Sequence, residues 1–445
     1  MIFMKIRQLV TTDARRKIQL KYGTILLSSG NLTVNTFLGS LLGFLFWVVC
    51  ARVLSATELG IGAAYISAMG LIAQMGSLGL GATFIRFLGR MKAERYEFIN
   101  ASIMLVTVGT TILFILFAIY VYVRSTPFES ASVLISLCLL FMATVSFSIS
   151  QVTDRIFIAY EQTHYLLIRQ QLAFVVKFAG IGVFVVPFGL TGLLLSLAVA
   201  ELTALMVSIF VLIPRVIPNF RISLAFAWQL LWVHLKYTLG NHISQLLWNA
   251  PQFLLPILVL EFWGAETNAQ FYINWMIATV FLIIPVSVST AAFARASKQD
   301  DSAQTDLYSI ALTTIGVLIP VILPIWLLSE TLLGIFGRNF TSTENLMLLP
   351  LLLSVFPYTI NTFVITQDRI RQNIRSMLVL SIAITLISIF STLFLGQFYG
   401  LLGIGLGWFM GQFIGTIVCG IYKSSNSIFA KLPSFPFARI PRGLT

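Results

Sequence analysis

Twelve stretches of this chain are long and apolar enough to cross a bilayer as helices, which takes about 20 residues each. They cover 25–50, 59–86, 99–123, 132–154, 170–187, 192–213, 238–262, 268–293, 307–329, 345–365, 376–396 and 400–422. In hydrocarbon every backbone polar group must be satisfied internally, so such stretches fold as helices. The composition agrees with that solvent. Of 445 residues, 58% are hydrophobic and only 10% are charged, against roughly 25% charged in a soluble globular protein. A soluble interior of this size cannot hide so much apolar surface. Disorder is excluded as well, because it needs low hydrophobicity and high charge. The expected fold class is an all-α polytopic membrane protein.

The charges test the number of crossings. The formal net charge is +12, from 28 Lys+Arg and 16 Asp+Glu. In a soluble protein that excess would point to nucleic acid. In a membrane protein Lys and Arg collect in cytoplasmic connections. With both tails and the even-numbered connections inside, 24 of the 28 basic residues are cytoplasmic. Arg52, Arg124 and Arg338 lie outside and Lys177 lies in a span. Nine acids fall inside, six outside (Glu58, Glu129, Glu261, Glu266, Glu330, Glu344) and Glu201 in a span. The inner side then carries +15 and the outer side −3. A shift by one span destroys this asymmetry. Twelve spans with cytoplasmic N- and C-termini are therefore expected, with no nucleic-acid partner. The basic residues of 1–23 precede an apolar run too long for a signal peptide.

Other classes are disfavoured. The outer loops are too short for a folded domain, which argues against a polymerase or ligase. Cys50, Cys138 and Cys419 lie far apart inside apolar runs and read as core residues. There are three histidines, no HExxH or CxxC pattern and no GxxxxGK[ST] stretch. No catalytic residue, metal or cofactor is expected, and no ATP hydrolysis by a P-loop.

The two halves repeat each other. Gly30-Asn31 recurs as Gly240-Asn241, and Asn35 maps to Gln245. Ala56-Thr57-Glu58 resembles Ala265-Glu266-Thr267, and Asp154-Arg155-Ile156 recurs as Asp368-Arg369-Ile370. Gly189-Leu190-Thr191-Gly192 recurs as Gly400-Leu401-Leu402-Gly403. Both copies start in the cytoplasm, so the repeat is parallel, with a pseudo-two-fold axis along the membrane normal. The expected organisation is a basic cytoplasmic segment 1–23, a six-helix lobe 24–213, an interfacial linker 214–237, a second six-helix lobe 238–423 and a cytoplasmic tail 424–445. Two such lobes suit a transporter working by alternating access better than an enzyme, receptor or scaffold.

Polar groups within spans narrow the candidate site, since an ionisable residue at a helix centre costs roughly 2.5–3.5 kcal/mol on translocon scales. Lys177 and Glu201 flank the Gly189 turn at similar depth and can pair. The pair reads as a cavity charge with its partner, or as a structural bridge. Asn241, Gln245 and Asn249 follow an i, i+4, i+8 stripe beside His242, and Asn31 and Asn35 form a comparable stripe in span one. Amides suit sugar hydroxyls or phosphate oxygens, though they also glue helices together. Arg86 and Arg295 end spans two and eight, and Arg155 and Arg369 end spans four and ten. Arginine pairs bidentately with phosphate, yet each also serves as a positive-inside anchor. Arg86 stands out because the run Gly76-Ser-Leu-Gly79-Leu-Gly81 before it permits close helix approach. Prolines at 251, 256, 285, 320, 324, 350 and 357 are expected to kink spans seven to ten.

The segments Ala51-Arg52-Val-Leu54-Ser-Ala-Thr-Glu58-Leu-Gly60 and Gly76-Ser-Leu-Gly79-Leu-Gly81-Ala-Thr-Phe-Ile-Arg86 resemble the first hairpin of polysaccharide-transport proteins. Phe336-Gly337-Arg338-Asn-Phe340 and Phe188-Gly189-Leu-Thr-Gly192 are similar to outer-loop patterns of the same family. These are the Wzx-type O-antigen and exopolysaccharide flippases of the multidrug/oligosaccharidyl-lipid/polysaccharide exporter superfamily. The resemblance implies a non-enzymatic flippase of the cytoplasmic (inner) membrane. Its substrate would be an oligosaccharide on undecaprenyl pyrophosphate, its partners membrane lipids and polysaccharide-assembly proteins. Arg86, Lys177, Arg295, Asn31, Asn35, Asn241, His242, Gln245 and Asn249 would then contact substrate. Glu201 and Asp154 would be ion-coupling candidates. The alternatives are a drug/cation antiporter of the same superfamily and a lipid II-type flippase.

Overall fold

The computed structural model describes residues 38–91, 94–124, 130–223, 228–296, 307–337, 345–371 and 373–424. Among them all regular structure is helical. The first helix, α1, covers Leu38–Val53. It is followed by α2 (Ala56–Gly76), α3 (Leu80–Phe87), α4 (Arg95–Arg124), α5 (Ser130–Ala159) and α6 (Thr163–Gly180). Then come α7 (Val186–Val207), α8 (Ile213–Val216), α9 (Trp228–Trp263), α10 (Ala265–Ala296), α11 (Leu307–Leu327) and α12 (Ser329–Gly334). The last three are α13 (Asn345–Leu353), α14 (Val355–Ile370) and α15 (Ile374–Ser424). Residues 1–23, the candidates Asn31 and Asn35 and the loop Arg338–Phe340 lie outside the described residues.

Nine helical runs among the described residues are long and apolar enough to span a membrane. Two exceed one crossing: Thr163–Val216 has 54 residues and Ile374–Tyr422 has 49, or about 70–80 Å at ~1.5 Å per residue. Each is broken by one glycine. Gly189 has φ 54°, ψ −129° and Gly400 has φ 56°, ψ −133°. Left-handed backbone of this kind reverses a chain and favours glycine. Nine runs, two of them doubled, together with the short apolar α1 make twelve crossings. The chain is thus an all-α polytopic membrane protein with twelve transmembrane helices in two six-helix lobes.

Three local details differ from the expected spans. The second span is interrupted at Ser77–Gly79, where Leu78 (φ 48°) and Gly79 (φ 76°) turn the chain before α3. The fourth span runs on to Ala159, and the fifth already starts at Thr163. Asp154 and Arg169 therefore sit inside helices rather than at their ends. The chain also stays helical through Pro251, Pro256, Pro285, Pro320 and Pro324.

The contacts form two compact units. One takes in the described parts of Met1–Leu45, Gly76–Val183 and Leu194–Leu235; the other takes in those of Phe46–Met75, Phe184–Leu193 and Lys236–Thr445. In the first, Phe84 meets Phe98 with centroids 5.3 Å apart, and Phe114 meets Phe141 at 5.3 Å. The segment after α8 is tied to α4: Tyr96 Oη donates to Pro218 O (2.8 Å) and Asn100 Nδ2 to Arg221 O (3.0 Å).

The second unit is centred on aromatics. Trp275 and Trp408 meet edge-on at 4.9 Å, and Trp248 stacks on Tyr358 at 5.2 Å. The Trp408 indole N–H donates to Ser354 Oγ at 2.9 Å. Ser354 marks the break between α13 and α14, so the break presents a hydroxyl to a buried indole. At the start of α2, Ser55 and Glu58 form a reciprocal cap. Ser55 N–H and Oγ–H donate to Glu58 Oε2 (3.0 and 2.8 Å), and Glu58 N–H donates to Ser55 Oγ (3.2 Å). The other carboxylate oxygen, Oε1, accepts Leu190 N–H at 3.1 Å, so one side chain also holds the Gly189 turn.

Candidate functional site

The polar centre of the first unit is a cluster of four charged side chains. Asp154 comes from α5, Arg169 and Lys177 from α6, and Glu201 from α7. Arg169 Nε approaches Asp154 Oδ1 at 2.6 Å, and Nη2 donates to Asp154 Oδ2 at 2.7 Å. Of the two contacts only Nη2–Oδ2 is a hydrogen bond; Nε and Oδ1 are close as opposite charges without being aligned for one. Gln170 Nε2 adds a long contact to Asp154 Oδ2 at 3.4 Å. Arg169 and Asp154 side chains are 5% and 9% exposed. Removing one partner of so buried a pair would leave an uncompensated charge.

Glu201 is held more loosely. Its Oε2 lies 3.8 Å from Arg169 Nη1 and accepts no hydrogen bond, and its side chain is 16% exposed. Lys177 lies eight residues beyond Arg169, about two turns along α6, and its charge also reaches Glu201. Its ammonium sits 4.4 Å from the centroid of the Phe174 ring. The Lys177 carbonyl accepts Ser196 Oγ–H at 2.9 Å, which pins α6 to α7. The structure thus brings Asp154 and Glu201 to Arg169, a residue not singled out from the sequence, with Lys177 acting on Glu201 from further along α6. The signal for Arg169 is the spacing: Arg169, Ala173 and Lys177 share one face of α6 at i, i+4, i+8.

The remaining candidates are placed as follows. Arg155 is exposed, and its stem packs over Gly81 of α3. Arg369, its counterpart at the end of α14, is half-buried with its Nε unpartnered. Among the described residues no acid lies within ion-pair distance of either arginine. The neighbouring acids are used locally: Asp154 holds Arg169, and Asp368 Oδ2 accepts Ser376 Oγ–H at 2.6 Å. On α9, His242 is buried against the backbone of Gln74 and Met75, while Gln245 and Asn249 are half-buried. The backbones of Arg86, Asn241 and Arg295 lie in α3, α9 and α10, and their side chains lie outside the described residues.

The second half repeats the α6–α7 hairpin within α15, at an offset of 211 between Gly189 and Gly400. At that offset Arg169 becomes Leu380, Lys177 becomes Ser388 and Glu201 becomes Gln412. Gln412 Nε2 donates to Ser388 Oγ at 3.3 Å, and Asn361 Nδ2 donates to Gln412 Oε1 at 3.1 Å. Three of the four charged positions of the first half are thus uncharged in the second, while Asp154 has an acid, Asp368, as its counterpart.

The described residues form a helical membrane protein that buries acidic and basic side chains together in its first half. The chain belongs to the family described as "Polysaccharide biosynthesis protein", which matches residues 25–293. No curated protein matches it significantly. Its fold is that of transporters of the MOP superfamily. An inward-facing multidrug resistance MATE family transporter of that superfamily superposes with TM-score 0.69 at 14% identity, covering 92% of this chain and 100% of that one. The lipid II flippase MurJ, in an inward closed conformation, superposes with TM-score 0.68 at 14% identity, covering 88% and 87%. A MOP-superfamily transporter from Pyrococcus furiosus, described by the reverse polarity of its binding pocket, gives 0.62 at 16% identity, covering 91% and 96%. At these identities the likeness is one of fold.

Proposed function

We propose that this protein flips a lipid-linked oligosaccharide, carried on undecaprenyl pyrophosphate, across the cytoplasmic membrane in polysaccharide biosynthesis. It does so by alternating access of the lobes 24–213 and 238–423, with both termini cytoplasmic, and it is not an enzyme. The family match over residues 25–293 carries this reading. The chemistry supports it. An anionic head group needs cations that are not already neutralised, and Arg155 and Arg369 have no acidic partner among the described residues. Sugars need amides, which Gln245 and Asn249 offer on α9. Arg86, Arg295, Asn31, Asn35, Asn241 and His242 complete the proposed contacts. The antiporter reading is less well supported, because a drug cation wants an acid without a cation beside it, and both Asp154 and Glu201 lie within ion-pair distance of Arg169.

The test is a deletion strain analysed for lipid-linked oligosaccharide on each side of the inner membrane. Accumulation at the inner face, reversed by the intact gene, is expected. No accumulation would overturn the proposal.

A further inference from the structure

A cavity of about 310 Å³ lies apart from the charged cluster, where the end of α11 meets α12 and the start of α13. It is lined by Trp326 and Leu327 of α11, Ser329 and Glu330 of α12, and Leu346 and Leu349 of α13. Its depth follows from the length of α11. From Leu307 to Trp326 the helix rises about 29 Å at ~1.5 Å per residue, against a hydrocarbon core of roughly 30 Å. A helix that starts at one surface therefore brings Trp326 to the head groups of the other, the level that tryptophan favours. With the termini cytoplasmic, as the charges lead one to expect, that level is the outer surface. Leu327 and Leu346 are more than half exposed, and apolar side chains so exposed at this depth face acyl chains. The cavity thus has one side toward lipid tails and one toward head groups.

The polar side is unpaired. The Glu330 carboxylate, the Ser329 hydroxyl and the Trp326 indole N–H have no hydrogen-bond or ion-pair partner among the described residues. Each of these groups selects. The carboxylate attracts a cation and repels a bare phosphate. Two oxygen acceptors suit an ammonium that still carries N–H bonds. The indole ring adds attraction for a cation. The three leucines suit hydrocarbon, which a free amine or a metal ion would leave idle. The volume is at the lower end of ligand pockets, roughly 300–1,000 Å³, and suits a head group better than an oligosaccharide. We propose that this cavity binds an outer-leaflet phospholipid through a primary ammonium head group. The ammonium donates to Glu330 and Ser329 beside the Trp326 ring. The indole N–H donates to the lipid phosphate, and the acyl chains run over Leu327, Leu346 and Leu349. The site is separate from the proposed transport contacts and does not rest on the flippase reading.

The experiment uses the purified full-length protein in detergent, stripped of lipid and titrated with dioleoyl lipids under native mass spectrometry. The probes are phosphatidylethanolamine, its N-monomethyl, N-dimethyl and N-trimethyl derivatives, and phosphatidylglycerol. Wild-type affinity should fall stepwise as methyl groups replace N–H donors, by about tenfold from the first lipid of the series to the last. E330Q should lose about the same factor for phosphatidylethanolamine and bind phosphatidylglycerol no more weakly than the wild type. Without lipid it should melt like the wild type, since Glu330 is exposed. The methylation series needs no variant and decides the matter even if E330Q fails to fold. Soluble phosphoethanolamine should compete poorly, because it lacks the chains that meet the leucines. An affinity indifferent to methylation overturns the proposal, and so does a preference that survives in E330Q. Competition by phosphoethanolamine at the concentrations of the lipid would mark a site for soluble amines and also overturn it. None of these readouts involves transport, so a failure of the flippase reading would leave them unaltered.

Discussion

Gly189 and Gly400 adopt the same backbone conformation 211 residues apart, within 2° in φ and 4° in ψ. Each ends one crossing and starts the next. The same substitution should nonetheless have unequal effects. A β-carbon at Gly400 meets nothing within 4 Å, whereas one at Gly189 runs into Glu58 Oε1. Gly400→Ala should cost the strain alone, of order 1–3 kcal/mol. Gly189→Ala should cost more, because it also displaces the carboxylate that caps α2. Thermal melts of the two variants in the same detergent would show the difference, and equal shifts would refute it.

The Asp154–Arg169 pair should behave as a buried structural ion pair. Arg169→Ala should destabilise by about 3–5 kcal/mol, because it strips Asp154 of its cation; Asp154→Ala should cost less, because Glu201 still lies 3.8 Å from the guanidinium. Replacing both with apolar residues of similar size should recover most of that loss. A double-mutant cycle read by melting temperature checks this; additive losses would argue against the pair.

Trp408 and Ser354 make a second testable couple. Ser354→Ala leaves a buried indole N–H unsatisfied, at a cost of roughly 1–3 kcal/mol. Adding Trp408→Phe removes the donor, so the double variant should lose little beyond Trp408→Phe itself. The comparison of single and double variants by denaturation provides the measurement.

Arg155 and Arg369 should matter for transport more than for stability. Charge-assisted hydrogen bonds are worth about 1.5–3 kcal/mol each, so Arg155→Gln or Arg369→Gln should weaken substrate binding by roughly 10–100-fold. Melting temperatures should change little, since neither arginine holds an acid among the described residues. Transport at low and at saturating substrate concentrations separates the two effects. A large drop in melting temperature would instead mark the arginines as structural anchors.

The crossings were legible because hydropathy is written residue by residue. The turns at Gly189 and Gly400 were legible too, because the two glycines at 189 and 192 recur at 400 and 403. Arg169 was not. Arg169-Gln170-Gln171 follows a stretch that reads as a cytoplasmic connection, and the acids that make the guanidinium tolerable inside a helix, Asp154 and Glu201, come from two other helices. Glu201 was recognised as an intramembrane acid but matched with Lys177 alone, since depth can be counted along a helix while facing cannot. The break at Ser77–Gly79 was hidden because glycines within an apolar run equally suit tight packing, and Leu78 gives no sign of its left-handed conformation.

The serine–glycine contacts at the two hairpins bear on how the halves have diverged. In the first half the glycine is Gly180 on the earlier helix and the serine is Ser196 on the later one. In the second half the order is reversed, with Ser391 on the earlier helix and Gly407 on the later. A chimera that exchanged single helices between the halves would set serine against serine in one hairpin and glycine against glycine in the other. The first would be overpacked and the second hollow. Transplanting a whole hairpin would instead keep each serine with its own glycine.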